Sequence, residues 1–173
     1  MSGVDAAKAA GVLLAAVVVQ VSFATPLEVA DGHPDVLLVL VTAIALLRGP
    51  VLGAGAGFWA GLLLDMAAFG TLGLSSLLLT LAGYWAGRFG QATTRSSPYP
   101  PLIAVALATV WLALGSAVLH FMLGESVPAG ALFGQVLLPT LALNVLLAFP
   151  LYRLAVRIFP IPIRDARKVP ALV

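Results

Sequence analysis

Arg48-Gly49-Pro50-Val-Leu-Gly53-Ala-Gly-Ala-Gly57-Phe-Trp-Ala-Gly61-Leu-Leu-Leu-Asp65 is the stretch that decides the fold class. Glycine stands at every fourth position from Gly49 to Gly61, and Asp65 takes the next step. In water each interior glycine costs a helix about 1 kcal/mol relative to alanine. In lipid the same spacing leaves a groove along one helix face, and a second helix can lie in it at short backbone distance. The stretch therefore reads as a helix made to be packed against. The neighbour is either another helix of this chain or a helix of a partner. Steps of four advance about 40° around the helix, so the glycines trace a slanting stripe. Leucine at Gly57 or Gly61 should force the helices apart. Leucine at Ala56, off the stripe, should be tolerated.

Composition sets the environment. The 173 residues are 61% hydrophobic and 9% charged, with a mean hydropathy of +1.09. A soluble domain carries about 25% charged residues, so the charge here is too sparse to cover a water-facing surface. The chain reads as one integral membrane domain over residues 1–173, all-α and polytopic. It has no cysteine, which excludes disulfides, thiolate nucleophiles and cysteine-metal sites. The net charge of +2 and pI near 9.4 are mildly basic. The positions of the charges argue against a nucleic-acid surface.

Those positions predict topology. Apolar runs stand at about 8–24, 35–47, 50–64, 72–87, 101–123 and 131–152. A crossing needs about 20 residues, so the second and third runs are short. Merging them would bring Arg48 to the bilayer centre, at about 2.5–3.5 kcal/mol on insertion scales. Kept apart, they give six crossings with both termini cytoplasmic. Lys8, Arg48, Arg88, Arg95, Arg153, Arg157, Arg164, Arg167 and Lys168 then share the cytoplasmic side. Glu28, Asp31, Asp35, Asp65 and Glu125 fall outside. Arg48, Arg88, Arg95, Arg153 and Arg157 are the topology-setting cations. A cleaved signal peptide is the competing reading of residues 1–25. The apolar run is long for one, and a short acidic segment follows it, so it is taken as helix one.

Local chemistry marks the ends. Thr25-Pro26 stops helix one, and His33-Pro34-Asp35 opens helix two. Gly70-Thr71-Leu72-Gly73 is the turn into helix four, and 96–101 links helices four and five. Tyr84, Trp85, Tyr99 and Tyr152 suit the inner interface. Pro160 and Pro162 end helix six, and residues 159–173 form a basic cytoplasmic tail.

Candidate chemistry is scarce. His33 and His120 lack cysteine or paired-carboxylate company at metal spacing, so no metal, cofactor or catalytic residue is assigned. Gly53-Ala-Gly-Ala-Gly57 follows no strand and fails as a dinucleotide fingerprint. Asp65 is either a carboxylate bonding to the Gly70–Gly73 turn or a partner contact; a helix from Pro50 climbs only about 22 Å to Leu64, so Asp65 belongs at the outer interface. Gln20, Gln135, Thr140 and Asn144 are polar groups within spans. The last two share helix six with Gln135 and an expected kink at Pro139, where they line a small cavity or satisfy freed backbone.

Pro34-Asp35-Val-Leu-Leu-Val-Leu-Val, Leu47-Arg48-Gly49-Pro50, Gly57-Phe58-x-x-Gly61-Leu62-Leu63-Leu64-Asp65, Gly70-x-Leu72-Gly73-Leu74 and Tyr84 together resemble the MreD family of rod-shape-determining membrane proteins. The resemblance is carried by residues 34–87, and the rest matches in length and hydropathy. It implies a non-enzymatic subunit of the cell-elongation machinery in the bacterial inner membrane. The partners it implies are MreC and, indirectly, MreB, RodA and a class B penicillin-binding protein. It also implies a fold like the substrate-binding subunits of energy-coupling-factor transporters. Gly49, Gly53, Gly57, Gly61, Asp65, Gly70 and Gly73 are the candidate helix-packing or partner-interface residues. The runner-up is such a transporter subunit itself, binding a vitamin or metal. Its pocket would need several convergent polar groups on the outer side, and the outer loops are short. A lipid-active enzyme would need a nucleophile or metal constellation that the sequence does not offer.

Overall fold

The computed structural model describes residues 3–24, 32–69, 71–93, 99–124 and 136–159. The expectations placed on Thr25-Pro26, Glu28, Asp31, Gly70, Arg95, Glu125, Gln135 and the tail beyond 159 lie outside these residues. Among the described residues the chain is all-helical, without a strand. The helices are α1 (Gly3–Val19), continued by a π-helical turn Gln20–Ala24, α2 (Val36–Arg48), α3 (Pro50–Ala67), α4 (Leu74–Ala92), α5 (Tyr99–Met122) and α6 (Leu138–Ile158). By length and composition α3, α5 and α6 can each cross a membrane. The apolar stretch 8–22 in α1 and the whole of α2 are shorter. α4 is diluted by Ser75, Ser76, Thr80, Arg88 and Gln91.

α2 is the axis of the bundle. Every residue from Leu37 to Leu47 is buried, and α2 touches each of the five other described helices. Its 13 residues rise only about 20 Å, short of a 30 Å hydrocarbon core. Such a length is tolerable at the centre of a bundle, because the helix ends meet protein rather than lipid. The run Val36–Leu47, apolar but for Thr42, has no polar face for the same reason: it is surrounded on every side.

Arg48-Gly49-Pro50 is a tight reversal between α2 and α3. Gly49 takes φ 93°, a conformation that glycine adopts without steric cost. Pro50 cannot extend α2 and fits the first turn of α3. The two helices fold back as a hairpin, with Gly53 against Ala45. α3 then runs antiparallel to α4, its most extensive partner.

Several bounds and roles differ from expectation. α4 extends to Ala92 rather than 87, and α6 runs through Pro150 to Ile158 rather than ending at 152. Pro139 stands in the first turn of α6, where proline is tolerated, directly after the π-helical residues 136–137. Ala56 is not an outward position: it is 9% exposed and belongs to the core. Gly55 is the outward one, since a Cβ there would meet nothing within 4 Å.

Candidate functional site: a glycine seam and a polar collar

The seam lies between α3 and α4. A Cβ added at Gly53 would strike the carbonyl of Gly83, one at Gly57 the carbonyl of Leu79, and one at Gly61 the backbone of Ser76. The collision is reciprocal: Gly83 faces the Gly53 carbonyl, and Gly87 faces the backbone of Gly49 and Pro50. Gly90 continues the line against Leu46 of α2. The obstruction is backbone, which cannot swing aside as a long side chain can. Close approach of this kind is how helices gain packing energy in lipid, where burial of apolar surface gives little drive. Gly83 and Gly87 were not singled out from sequence, although their four-residue spacing mirrors the ladder on α3.

Gly73 takes no part in this seam. It is exposed, nothing lies within 4 Å of its Cβ position, and its φ of 94° suits the turn before α4. Its N–H donates to Asp65 Oδ2 at 2.8 Å, and the Ser75 N–H donates to Oδ1 at 3.3 Å. Asp65 is 4% exposed. It therefore caps α4 from the end of α3: the residue at the N-cap position, Gly73, has no side chain to do so. Ser76 Oγ donates to the Phe58 carbonyl at 3.0 Å and ties the same two helices.

A collar of polar groups closes around the start of α2. Gln20 Oε1 accepts the Val36 N–H at 2.9 Å, and its Nε2 donates to the Pro34 carbonyl at 3.2 Å. Asn144 Oδ1 accepts the Asp35 N–H at 2.7 Å, and its Nδ2 donates to Thr109 Oγ1 at 3.1 Å. Thr140 Oγ1 accepts the His33 N–H at 3.2 Å. Asp35 Oδ1 accepts the Leu38 N–H at 2.9 Å. Thr140 and Asn144 thus satisfy the segment that opens α2, not backbone freed by a kink in α6. Unmet backbone donors are costly away from water; here the π-turn after α1 and helix α6 supply the acceptors, and Thr109 of α5 holds Asn144 in place.

The two ends of the bundle differ in charge. Alternating helix directions put Lys8, Arg48, Arg88, Arg153 and Arg157 toward one end and Asp35 and Asp65 toward the other. At the cationic end the Arg48 guanidinium lies 5.6 Å from the Phe159 ring centroid. Arg153 lies 4.1 Å from that of Phe149. A groove of about 380 Å³ opens there between α1 and α3, lined by Leu13, Ile44, Arg48, Ala56, Trp59 and Phe159 among others. At the other end a pocket of about 280 Å³ is lined by Gln20, Asp65, Thr71, Ser75 and His120 with apolar neighbours. No group of three His, Asp or Glu among the described residues could hold a metal ion.

No curated protein and no solved structure gave a significant match to the chain. Residues 9–159 match the family described as rod shape-determining protein MreD. The matched range runs from the first turns of α1 to the end of α6 and so takes in the seam, the collar and both charged ends. A match over most of the chain, on an all-helical bundle with membrane-length apolar helices, establishes that the chain belongs to the MreD family of rod shape-determining proteins.

Proposed function

We propose that this chain is a non-enzymatic subunit of the cell-elongation complex in the bacterial inner membrane. In this reading it packs with MreC and, through it, supports MreB, RodA and a class B penicillin-binding protein. The family match over 9–159 carries the proposal. The collar and the Asp65 cap support it, because these polar side chains are committed to backbone N–H groups rather than aimed at a substrate. The same reading has six crossings and cytoplasmic termini, with the cationic end of the bundle facing the cytoplasm. The architecture would then be that of the substrate-binding subunits of energy-coupling-factor transporters.

A second reading, a transporter subunit proper, draws on the pocket beside Asp65 and His120. Against it, both oxygens of Asp65 already accept backbone donors. Co-purification from rod-shaped cells under mild detergent separates the two. MreC should travel with the full chain at near-equal amounts, and no vitamin should be retained. A chain that leaves MreC behind and carries a vitamin through purification would reverse the assignment.

A further inference from the structure

We propose that the turn between α3 and α4 lies in lipid rather than in water, at the acyl-chain boundary of the leaflet at the carboxylate end, with Met66, Phe69 and Leu72 as its lipid contacts. Helix length sets the depth. α3 has 18 residues, Pro50 to Ala67, and rises about 27 Å. A hydrocarbon core is about 30 Å thick, and Arg48, directly before α3, stands at its opposite boundary. The turn therefore sits where that core ends and not beyond it. Met66 is 59% exposed, Phe69 96% and Leu72 69%, so the turn presents three large apolar side chains at that level.

Charge, backbone and conformation each favour lipid as the surroundings. Between Gly49 and Gly87 Asp65 is the only charged residue. It is 4% exposed, and both its oxygens accept N–H groups of the turn. The α3–α4 hairpin thus shows no charge to what lies around it. The links before α2 and after α5 differ, with Glu28, Asp31 and Asp35 in one and Glu125 in the other. In water unmet backbone donors are solvated, whereas in lipid the chain must meet them itself. Besides the two donors on Asp65, the Ala68 N–H reaches the Leu64 carbonyl at 2.8 Å, the Leu74 N–H that of Thr71 at 3.3 Å and the Leu77 N–H that of Gly73 at 2.9 Å. Phe69 has φ 53°, the left-handed region where a bulky residue is an outlier and where glycine usually ends a helix. Its ring is too exposed for packing within the chain to offset that strain; contact with lipid chains does so. Thr71, exposed and carrying a hydroxyl, marks the headgroup level. The proposal rests on the reading in which α3 and α4 cross the bilayer, and not on which proteins the chain binds.

The test uses the full chain, which has no cysteine of its own, in vesicles of phosphatidylethanolamine and phosphatidylglycerol. Phe69→Cys, Leu72→Cys and Trp59→Cys each carry one nitroxide label. Trp59, near the middle of α3 and 62% exposed, is the reference for a lipid-facing site. Electron paramagnetic resonance reads collisions with oxygen, which concentrates in lipid, and with a water-soluble nickel complex. Labels at 69 and 72 should collide more with oxygen than with nickel, as the label at 59 does. Leu72→Cys keeps the test decisive if Phe69→Cys does not fold. Nickel in excess at 69 and 72, with oxygen in excess at 59, puts the turn in water and overturns the proposal alone. Labels at 69 and 72 that neither reagent reaches are covered by protein, which overturns it too. Nickel in excess at 59 removes α3 as a crossing, and the proposal falls with that reading.

Discussion

A glycine can be required by its own backbone conformation or by what stands opposite it, and this chain shows both. Gly49 and Gly73 have positive φ. Gly57 and Gly61 are ordinary helical residues whose missing Cβ makes room for the backbone of α4. Gly55, two positions away, faces open space. Gly57→Leu should therefore destabilise by at least the roughly 1–3 kcal/mol of overpacking. Gly55→Leu should change stability by less than about 0.5 kcal/mol. Thermal unfolding in detergent checks both. Equal melting temperatures for the two variants would mean that the seam is not what holds α3 to α4. Thr42 is a residue with no such account: it is fully buried and its hydroxyl has no hydrogen-bond partner.

At the scale of elements, two helix starts near the carboxylate end, those of α2 and α4, are completed by side chains from other elements. α2 starts where Gln20 and Asn144 accept its first donors. α4 starts where Asp65 accepts the donors of Gly73 and Ser75. Asp65→Ala leaves those two N–H groups without their acceptor. It should lower stability by about 1–3 kcal/mol and raise amide hydrogen exchange first in the opening turn of α4. Asp65→Asn keeps one carbonyl oxygen as acceptor and should recover part of the loss. If exchange in residues 73–77 is unchanged in Asp65→Ala, the cap is not what holds that turn. Fraying at this end would also loosen Ser76 from the Phe58 carbonyl, so the seam and the cap belong to one unit.

For the whole molecule, the separation of charge is the property with the widest consequence. Among the described residues the lysine and arginines lie toward one end and the two carboxylates whose side chains are described lie toward the other. In the proposed reading the cationic end faces the cytoplasm, as the positive-inside rule favours. The chain has no cysteine, so one introduced thiol is a unique reporter. Thr71→Cys and Ala92→Cys replace exposed residues at opposite ends. An impermeant thiol reagent applied to intact cells should label position 71 and spare 92, and both should label after lysis. The reverse pattern would invert the bundle, and labelling of both in intact cells would remove α4 as a crossing.

Membrane-like composition, helix class, the family resemblance and one side of the seam are legible in the residues alone. Hydropathy, charge sparsity and a four-residue glycine period are local properties, and a membrane leaves helices as nearly the sole way to satisfy an isolated chain's backbone. Gly83 and Gly87 carry the same four-residue spacing on α4. Which groups meet is a matter of packing between helices. Packing puts Leu79 against Gly57, makes α2 the axis, turns Ala56 inward, and gives Asn144 to Asp35 across 109 residues of chain. Spacing along one helix tells which residues share a face. Which other helix that face meets depends on how the other five described helices pack around α2, and no single helix encodes that choice.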